Sequence, residues 1–228
     1  MLKKYIVRNA SDKQLGVIVP YRDREAHLKE FIPHVENILS SQLLPFSITV
    51  VEQFNDLPFN RGLLLNAGVL ENLQSDYFCF HDVDMLPIES SYSYSNCPTH
   101  LASNVEQFDW ALPYEGFFGG VTLFDKKSFF KINGYSNNYW GWGSEDDDVY
   151  ERCKKLGLLI LRRNGTYKSL AHDRPIDNQL YQANRRRYDL ARHNLLDGSA
   201  DGIKQCQYEV ASCERLTPYS TRLKLQFI

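Results

Sequence analysis

Four consecutive carboxylates, Glu145 to Asp148, directly follow two Trp–Gly pairs at residues 140–143. Glycine lets the backbone turn sharply or approach a ligand closely, and an indole offers a broad apolar face. Alternating the two builds an aromatic wall on a turn. An acidic, solvated helix start is the plainer alternative, but such a start needs no indoles beside it. We therefore interpret this stretch as a carbohydrate pocket with a positioned carboxylate base.

The acidic run also begins a predicted helix. Ser144 and Asp147 have the spacing of a capping box at its first turn. Val149, Cys153 and Leu156 form an apolar stripe at helical spacing. Neighbouring acids raise the pKa of a carboxyl group and a helix N-terminus lowers it, so the direction of the shift for any one acid stays open.

A second acidic group, Asp82-Val83-Asp84, ends a predicted buried strand at residues 76–84. Side chains alternate along a strand, so Asp82 and Asp84 would face the same way if the extended backbone persists. Two such carboxylates could bind a divalent cation that also bridges phosphate groups. His172 could add a nitrogen ligand, and a mixed Asp/His set favours Mn²⁺ over Mg²⁺. Alternatively, the two acids cap a turn and His172 is an ordinary surface histidine.

Arginines follow the first predicted strand and precede a later helix. Arg22 and Arg24 come directly after Val-Pro-Tyr, and Arg61 follows Phe-Asn. A guanidinium can bind phosphate or the edge of a uracil ring through its planar fork. Salt bridging at a helix start is the alternative, and the helix dipole opposes it because cations are disfavoured at an N-terminus.

The order of the predicted elements places these polar groups together. Apolar runs at residues 15–20, 46–51 and 76–84 predict buried strands, and helices are predicted between them. Pro33 should kink the first helix or split it in two, and the second covers residues 62–73. This alternation predicts a parallel, doubly wound α/β sheet. Ligands bind such sheets at the carboxyl ends of the strands, where the acids and arginines fall.

The rest of the chain is less regular. Residues 88–112 are predicted to form a polar loop over the sheet edge. The further predicted elements are strands at 117–124, 158–161, 208–210 and 223–227, and helices at 126–132 and 177–196.

Composition excludes several classes of protein. The net charge of −2 shows no basic patch of the kind that binds nucleic acid, and an aromatic share of 13% suits stacking on sugars or on bases without distinguishing them. Five cysteines without a CxxC pair predict neither a disulfide framework nor a zinc site. No apolar run is long enough to span a membrane, and residues 1–9 are too short and polar for a signal peptide. We therefore expect a cytoplasmic protein.

Taken together, the segments resemble the β1,4-galactosyltransferase family, which comprises inverting sugar-nucleotide glycosyltransferases. The resemblance covers the chain from about residue 15 to the His172 region. The amino-acid sequences at 80–84 and 167–169 are similar to those of the xylose-accepting branch of the family. It implies a glycosyltransferase A-type fold, a mainly parallel twisted sheet flanked by helices. The similar segments are PYRDR (20–24), FNRGLLLNAG (59–68), FHDVDMLP (80–87), FGGV (118–121) and NGYSNNYWGWGSEDDD (133–148).

The resemblance implies a role for each matching residue. Asp146 would be the general base, and Asp84 and His172 would bind Mn²⁺. The residues implied in UDP binding are Pro20, Arg22, Arg24, Phe59, Arg61, Asp82 and Val83. The residues implied in donor or acceptor sugar contacts are Phe117, Gly120, Trp142, Gly143, Glu145 and Asp147.

The chain also departs from the family pattern. The usual third metal ligand is missing, since the corresponding positions hold Ser169 and Arg174, and Asp173 could substitute. Phe117 replaces a tyrosine that helps to select the donor, which favours galactose over N-acetylgalactosamine. The chain has neither the membrane anchor nor the disulfide pattern of animal members, which suggests a bacterial-type soluble member.

The implied activity is inverting transfer of galactose from UDP-galactose to a sugar hydroxyl in a β1,4 linkage, for surface polysaccharide or glycan synthesis. Alternatives are a donor such as UDP-N-acetylgalactosamine or another UDP-sugar, a metal-dependent nucleotide-sugar hydrolase, and a silent sugar-binding module. We expect one glycosyltransferase domain over residues 1–228. About 15–112 would bind nucleotide and metal, and about 113–228 would carry the acceptor and catalytic part.

Residues 173–188 are a candidate lid, because a closing loop excludes water from a reactive donor. The basic run Arg185 to Arg187 within it is interpreted as an ordinary surface helix. The alternative is a peripheral membrane contact, in which the arginines face anionic lipid that carries the acceptor.

Overall fold

An eight-stranded sheet forms the centre of the computed structural model, which describes residues 12–173 and 176–228. A smaller three-stranded sheet lies beside it. The strands are β1 (Leu15–Tyr21), β2 (Phe46–Gln53), β3 (Tyr77–His81), β4 (Met85–Glu89), β5 (Thr99–His100), β6 (Asn104–Val105), β7 (Val121–Asp125), β8 (Leu161–Arg162), β9 (Thr166–Ser169), β10 (Tyr208–Arg215) and β11 (Ser220–Phe227).

The large sheet has the order β10-β11-β2-β1-β3-β7-β5-β8, and the small one has the order β4-β9-β6. Within the large sheet, β7 and β10 run against the other strands. The predicted α/β class with a mainly parallel sheet is therefore confirmed.

Five helices flank the sheets: α1 (Glu25–Ser41), α2 (Arg61–Leu70), α3 (Lys126–Lys131), α4 (Glu145–Lys155) and α5 (Asn178–Arg192). These are the α-helices of the described residues. α1 continues through Pro33 as one helix, so the split predicted as one of two outcomes there does not occur. None of the described helices is long and apolar enough to cross a membrane.

Two apolar clusters sandwich the large sheet. β1 is buried along its whole length, and its side chains alternate between the clusters. Val17 and Val19 pack with Phe31 of α1, whereas Ile18 packs with Leu64 of α2. A strand covered on both faces has to be apolar throughout, which is why its sequence is a continuous run.

Several short elements differ from the sequence prediction. Within residues 88–112, predicted as a loop, lie β5, β6 and the end of β4, while residues 117–120 are not a strand. The last predicted strands are confirmed as the hairpin of β10 and β11, although both strands are longer than predicted. Strands of two residues pair with distant segments and carry no periodicity of their own, so no local pattern could show them. The N-terminal residues 1–9 and Arg174 lie outside the described residues.

Gly68 sets how closely α2 approaches the sheet. A Cβ atom added to Gly68 would lie 2.3 Å from Ile18 Cγ2 and 2.9 Å from Val51 Cγ2. Both contacts are with branched side chains of β1 and β2, which have little room to move. The spacing between this helix and the sheet therefore depends on a residue without a side chain.

We expect Gly68→Ala to lower the free energy of unfolding by about 1–2 kcal/mol. Overpacking costs about 1–3 kcal/mol, and alanine regains up to about 1 kcal/mol of helix propensity. Denaturant unfolding of both proteins measures the difference. Gly198→Ala is the matched control, since its added Cβ meets nothing nearer than Arg152 Cζ at 3.8 Å. Equal losses in the two variants would contradict the packing argument.

Candidate active site

A cleft of about 1060 Å³ opens where β1 and β3 end and where the turn before α4 begins. Every residue predicted to contact donor, metal or sugar lines it. These residues are Pro20, Arg22, Arg24, Phe59, Arg61, Asp82, Val83, Asp84, Phe117, Gly120, Trp142, Gly143, Glu145, Asp146, Asp147 and His172. The cleft thus brings together segments from the whole chain, and the individual roles of these residues stay predictions.

The Asp82–Asp84 segment is a turn and not the end of an extended strand. β3 ends at His81, and the amide of Met85 donates to Asp82 O at 3.2 Å. The two carboxylates therefore have different partners. Asp82 Oδ1 lies 2.7 Å from Arg61 Nε, whereas Asp84 Oδ2 lies 2.8 Å from His172 Nε2. The condition for both acids to face the same way, an extended backbone through Asp84, is therefore not met, although both still line the cleft.

Asp84 and His172 form a pair of donor atoms that fits a divalent cation. His172 Nδ1 lies 2.9 Å from Arg24 Nη2, a group that can only donate, so Nδ1 accepts and Nε2 carries the hydrogen that it donates to Asp84 Oδ2. Nε2 must lose this hydrogen for the histidine to bind a metal. Among the described residues, no group of three or more His, Cys, Asp and Glu side chains could hold a metal ion. A cation here would take further oxygen ligands from water or phosphate.

Two arginines add positive charge at the same end of the cleft. Arg24 Nη2 lies 2.9 Å from His172 Nδ1 and 3.2 Å from Asp173 O. The Arg22 guanidinium lies over the Phe59 ring, 5.5 Å from its centroid, and donates to Leu57 O at 2.7 Å. An aromatic face beside planar cations suits a nucleotide base next to phosphates.

Arg61, the first residue of α2, joins the two acidic groups. Besides its 2.7 Å contact with Asp82, its Nη1 lies 3.7 Å from Glu145 Oε1. Burial tends to lower the pKa of Arg61, but Asp82, Tyr135 and Glu145 outweigh it, so the pKa lies well above its usual value. The guanidinium therefore stays charged between the metal end of the cleft and the acidic helix start.

The start of α4 has no capping box. Ser144 is the N-cap residue, but its φ of 76° is left-handed and its side chain makes no cap hydrogen bond. The capping interaction predicted for Ser144 and Asp147 is therefore wrong, because a serine in this conformation does not direct its hydroxyl at the helix amides. Instead, Asp146 Oδ1 accepts from the amide of Asp147 at 3.0 Å. Gly141 and Gly143 also have positive φ, so the turn that leads into α4 is left-handed at three of its residues, two of which are glycines that adopt this conformation without strain.

The four acids of the run have different environments. Asp148 is buried, and its Oδ2 accepts from Arg152 Nε at 2.7 Å. It is thus part of a buried ion pair and not a simple cap. Asp147 Oδ1 accepts from the Tyr114 hydroxyl at 2.7 Å. Burial raises the pKa of Glu145, and Arg61 opposes the rise.

Asp146 has the properties of a base that works near neutral pH. Burial, together with the neighbouring Glu145 and Asp147, raises its pKa to about 8, although Arg61 opposes the rise. The question that the sequence leaves open is thus answered in favour of a higher pKa. A Cβ atom added to Gly119 would lie 2.3 Å from Asp146 Oδ2, so bare backbone packs directly against the carboxylate. A base with this pKa can take a proton from a hydroxyl group and still be ionised in part.

Two cleft residues, Tyr114 and Tyr181, and one residue that holds the turn beside the cleft, Asn184, escaped the sequence analysis. Tyr114 lies against Phe117, with ring centroids 5.5 Å apart, and donates to Asp147. Tyr181 stacks on Trp142, with ring centroids 5.6 Å apart and an angle of 26° between the ring planes. Asn184 Nδ2 donates to Trp140 O at 2.9 Å. Tyr181 and Asn184 are three residues apart on α5, a spacing that puts both on one helix face and was the available signal.

Two of the three arginines in the basic run on α5, Arg185 and Arg187, form ion pairs with acidic residues of the same chain. Arg185 Nη1 lies 3.5 Å from Asp147 Oδ2, and Arg187 Nη2 lies 2.6 Å from Asp201 Oδ2. These contacts hold α5 against the acidic helix start and the loop near Asp201.

The family of this chain follows from its relatives. Residues 8–98 match the model for the N-terminal region of glycosyl transferase group 7, and residues 99–173 match the model for the N-terminal domain of galactosyltransferase. Human β-1,4-galactosyltransferase 2 is 38% identical over 210 residues, which cover 88% of this chain and 56% of that protein. The chain belongs to the β1,4-galactosyltransferase family. Mouse β-1,4-galactosyltransferase 1 is 36% identical over 92% of this chain and 54% of its own length. The chain thus spans about half the length of these curated relatives.

Solved structures support the same family. Drosophila β1,4-galactosyltransferase 7, crystallised with manganese, UDP-Gal and xylobiose, has a TM-score of 0.79 and 29% identity, and the match covers 95% of this chain and 94% of that one. Mannosyl-3-phosphoglycerate synthase from Rubrobacter xylanophilus has a TM-score of 0.54 at 11% identity over 94% and 87% of the two chains. The second likeness shows a shared fold alone.

The raised pKa of Asp146 gives a test that needs no activity. In protein labelled with ¹³C at the aspartate carboxyl, we expect the Asp146 signal, assigned by its loss in Asp146→Asn, to titrate near pH 8. In Glu145→Gln, one negative neighbour is gone, so deprotonation is easier and the midpoint moves to lower pH. Glu30→Gln, an exposed acid outside the cleft, is the control and should leave the midpoint in place. A midpoint near the ordinary aspartate value would contradict the assignment.

Proposed function

We propose that this chain is an inverting, UDP-sugar-dependent glycosyltransferase that moves galactose from UDP-galactose to a sugar hydroxyl in a β1,4 linkage. One observation carries the proposal. A carboxylate with a raised pKa, Asp146, lies in the same cleft as the Asp84–His172 pair and the arginines Arg22 and Arg24. One end of the cleft suits a diphosphate, and the other holds a base. Family membership agrees with this division.

The donor would bind with its nucleotide against Phe59 and Arg22 and its diphosphate near Arg24. Asp84 and His172 would hold Mn²⁺, which would neutralise negative charge on the leaving diphosphate. The geometric support is the convergence of Asp84 Oδ2 and His172 Nε2 beside Arg24. The similar Drosophila protein was crystallised with manganese and UDP-Gal, which supports the same ion and donor here.

Proton transfer would be the task of Asp146. As the acceptor hydroxyl attacks the anomeric carbon, its proton passes to Asp146, whose raised pKa makes the carboxylate a better proton acceptor than an ordinary aspartate. Attack from the side opposite to the diphosphate inverts the configuration, so an α-linked donor gives a β product. Glu145 and Asp147 would orient sugar hydroxyls, and Arg61 stabilises the charge of Glu145.

The sugar end of the cleft is aromatic. Phe117 contacts Tyr114 and His100 edge-on, and Trp142 is half exposed with Tyr181 stacked on it. Apolar ring faces beside carboxylates are suited to sugars, whose C–H faces stack and whose hydroxyls donate. Phe117 offers bulk without a phenol oxygen, and we propose galactose over N-acetylgalactosamine as the donor sugar on this ground.

The thiols favour a reducing compartment. Cys79, Cys97, Cys153, Cys206 and Cys213 are all unpaired, and the first and third are buried. Disulfides are rare in the cytoplasm and common in secreted proteins. We propose that the chain works in the cytoplasm on a precursor of a surface polysaccharide or glycan. The pairing of Arg185 and Arg187 with acids argues against a broad contact with lipid.

The deciding experiment is a screen of UDP-sugars against xylosides and N-acetylglucosaminides with Mn²⁺, with UDP release and product linkage as readouts. We expect acceptor-dependent release from UDP-galactose. Asp146→Asn should lower turnover by roughly 100- to 10 000-fold while donor binding is retained, because it removes the base alone. The matched control is Asp109→Asn, an exposed residue whose left-handed backbone accepts asparagine.

The outcomes separate the alternatives. UDP release that is independent of acceptor favours the nucleotide-sugar hydrolase, which would use the same acids on water. A preference for UDP-N-acetylgalactosamine would keep the chemistry and change the donor. Near-normal turnover of Asp146→Asn would contradict its role as the base, and donor binding without any turnover would favour a sugar-binding module.

A further inference from the structure

His100, a fully buried residue of β5, has a tautomer that its neighbours define. Its Nδ1 lies 2.7 Å from Arg162 Nη1, and its Nε2 lies 2.9 Å from Gly119 O. A guanidinium has donors and no acceptor, so Nδ1 must accept from Arg162. Nε2 therefore carries the hydrogen and donates to Gly119 O. The ring is neutral in this arrangement, which agrees with burial lowering the pKa of His100 to about 4.

The same arginine makes a second contact. Arg162 Nη2 donates to Glu115 O. His100 and Arg162 thus bind the carbonyl groups at both ends of residues 115–119, and we call this arrangement the 115–119 clamp. The segment has no strand pairing of its own, because β7 begins only at Val121. Side-chain donors therefore do for this segment what a strand partner does elsewhere in the sheet.

The clamped segment forms the wall of the cleft beside the proposed base. Phe117 lies edge-on to the His100 ring, with centroids 5.5 Å apart and planes at 89°. Gly119 packs so closely on Asp146 that an added Cβ would lie 2.3 Å from Asp146 Oδ2. Any movement of the segment changes the space available to the Asp146 carboxylate and moves the aromatic wall that a sugar would meet.

We propose that the 115–119 clamp is a positioning device for the reaction, in which His100 acts through Gly119 on Asp146 and through Phe117 on the donor sugar. This inference rests on the proposed transferase function. Neither His100 nor Arg162 lines the cleft, so both act without touching substrate. Because small displacements of reacting groups are costly in rate, loss of the clamp should lower kcat and leave donor binding at the distant arginines unchanged.

Three substitutions at one position separate the two hydrogen bonds. In His100→Gln, the amide nitrogen can reach the place of Nε2 and donate to Gly119 O, while the amide oxygen accepts from Arg162. In His100→Asn, the shorter amide reaches only the place of Nδ1, so the Arg162 contact stays and the Gly119 contact is lost. In His100→Leu, both contacts are lost.

We expect His100→Gln to keep kcat within about threefold of the wild type, and His100→Asn and His100→Leu to lose roughly 10- to 100-fold. The KM for the UDP-sugar and the affinity for UDP should change by no more than about twofold, which also shows that the variants are folded. If His100→Leu does not fold, His100→Asn decides the question, since it keeps a buried polar partner for Arg162.

The results distinguish this inference from the proposed function. A wild-type chain that transfers no sugar from any UDP-sugar overturns the function. Wild-type transfer with equal kcat in His100→Gln and His100→Asn overturns the clamp, as do variants that lose only thermal stability. Long-range ¹H–¹⁵N NMR provides a measurement without substrate: a neutral Nε2–H tautomer across mildly acidic to mildly alkaline pH supports the clamp, and an Nδ1–H or charged ring contradicts it.

Discussion

The arrangement of the cleft depends on the electrostatic interaction of the Arg61 guanidinium with two acidic side chains, Asp82 and Glu145. The guanidinium lies between the two acids: its Nε is 2.7 Å from Asp82 Oδ1, and its Nη1 is 3.7 Å from Glu145 Oε1. Carboxylates this close repel one another, and burial increases the repulsion by lowering the local dielectric. A buried cation between them opposes the rise in the pKa of Glu145 and holds both side chains in place. A neutral side chain at this position would leave both partly buried acids without a compensating charge from Arg61.

A second constraint is the packing of α5 on the glycine-rich turn. Gly141 and Gly143 have positive φ, and Cβ atoms there would lie 3.2 Å from Leu180 and 3.3 Å from Tyr181. Asn184 of α5 binds the backbone of the same turn. The exposed indole of Trp142 is therefore oriented by a helix distant in sequence, and any displacement of α5 would move the aromatic surface of the cleft with it.

Much of the fold follows from local pattern. The buried strands β1, β2 and β3 and the helices between them are where apolar runs and helical spacing put them. Since parallel strands end at one edge, polar residues after each strand had to meet, and the predicted site residues do line one cleft. Two predictions failed: the extended backbone at Asp82–Asp84 and the capping box at Ser144. Both depend on backbone geometry that the neighbouring residues in the sequence do not reveal.

The sequence by itself determined the central parallel strands, the composition of the cleft and the resemblance to the family, because these depend on residue type and spacing along the chain. The tertiary structure decided what each acid does. Asp146 acquires a raised pKa from burial and from Glu145 and Asp147, whereas Asp148 turns to Arg152 in the interior. In the sequence, the four acids that follow the aromatic turn look equivalent. They differ because burial and charge act through space, and only the folded chain fixes which atoms are close.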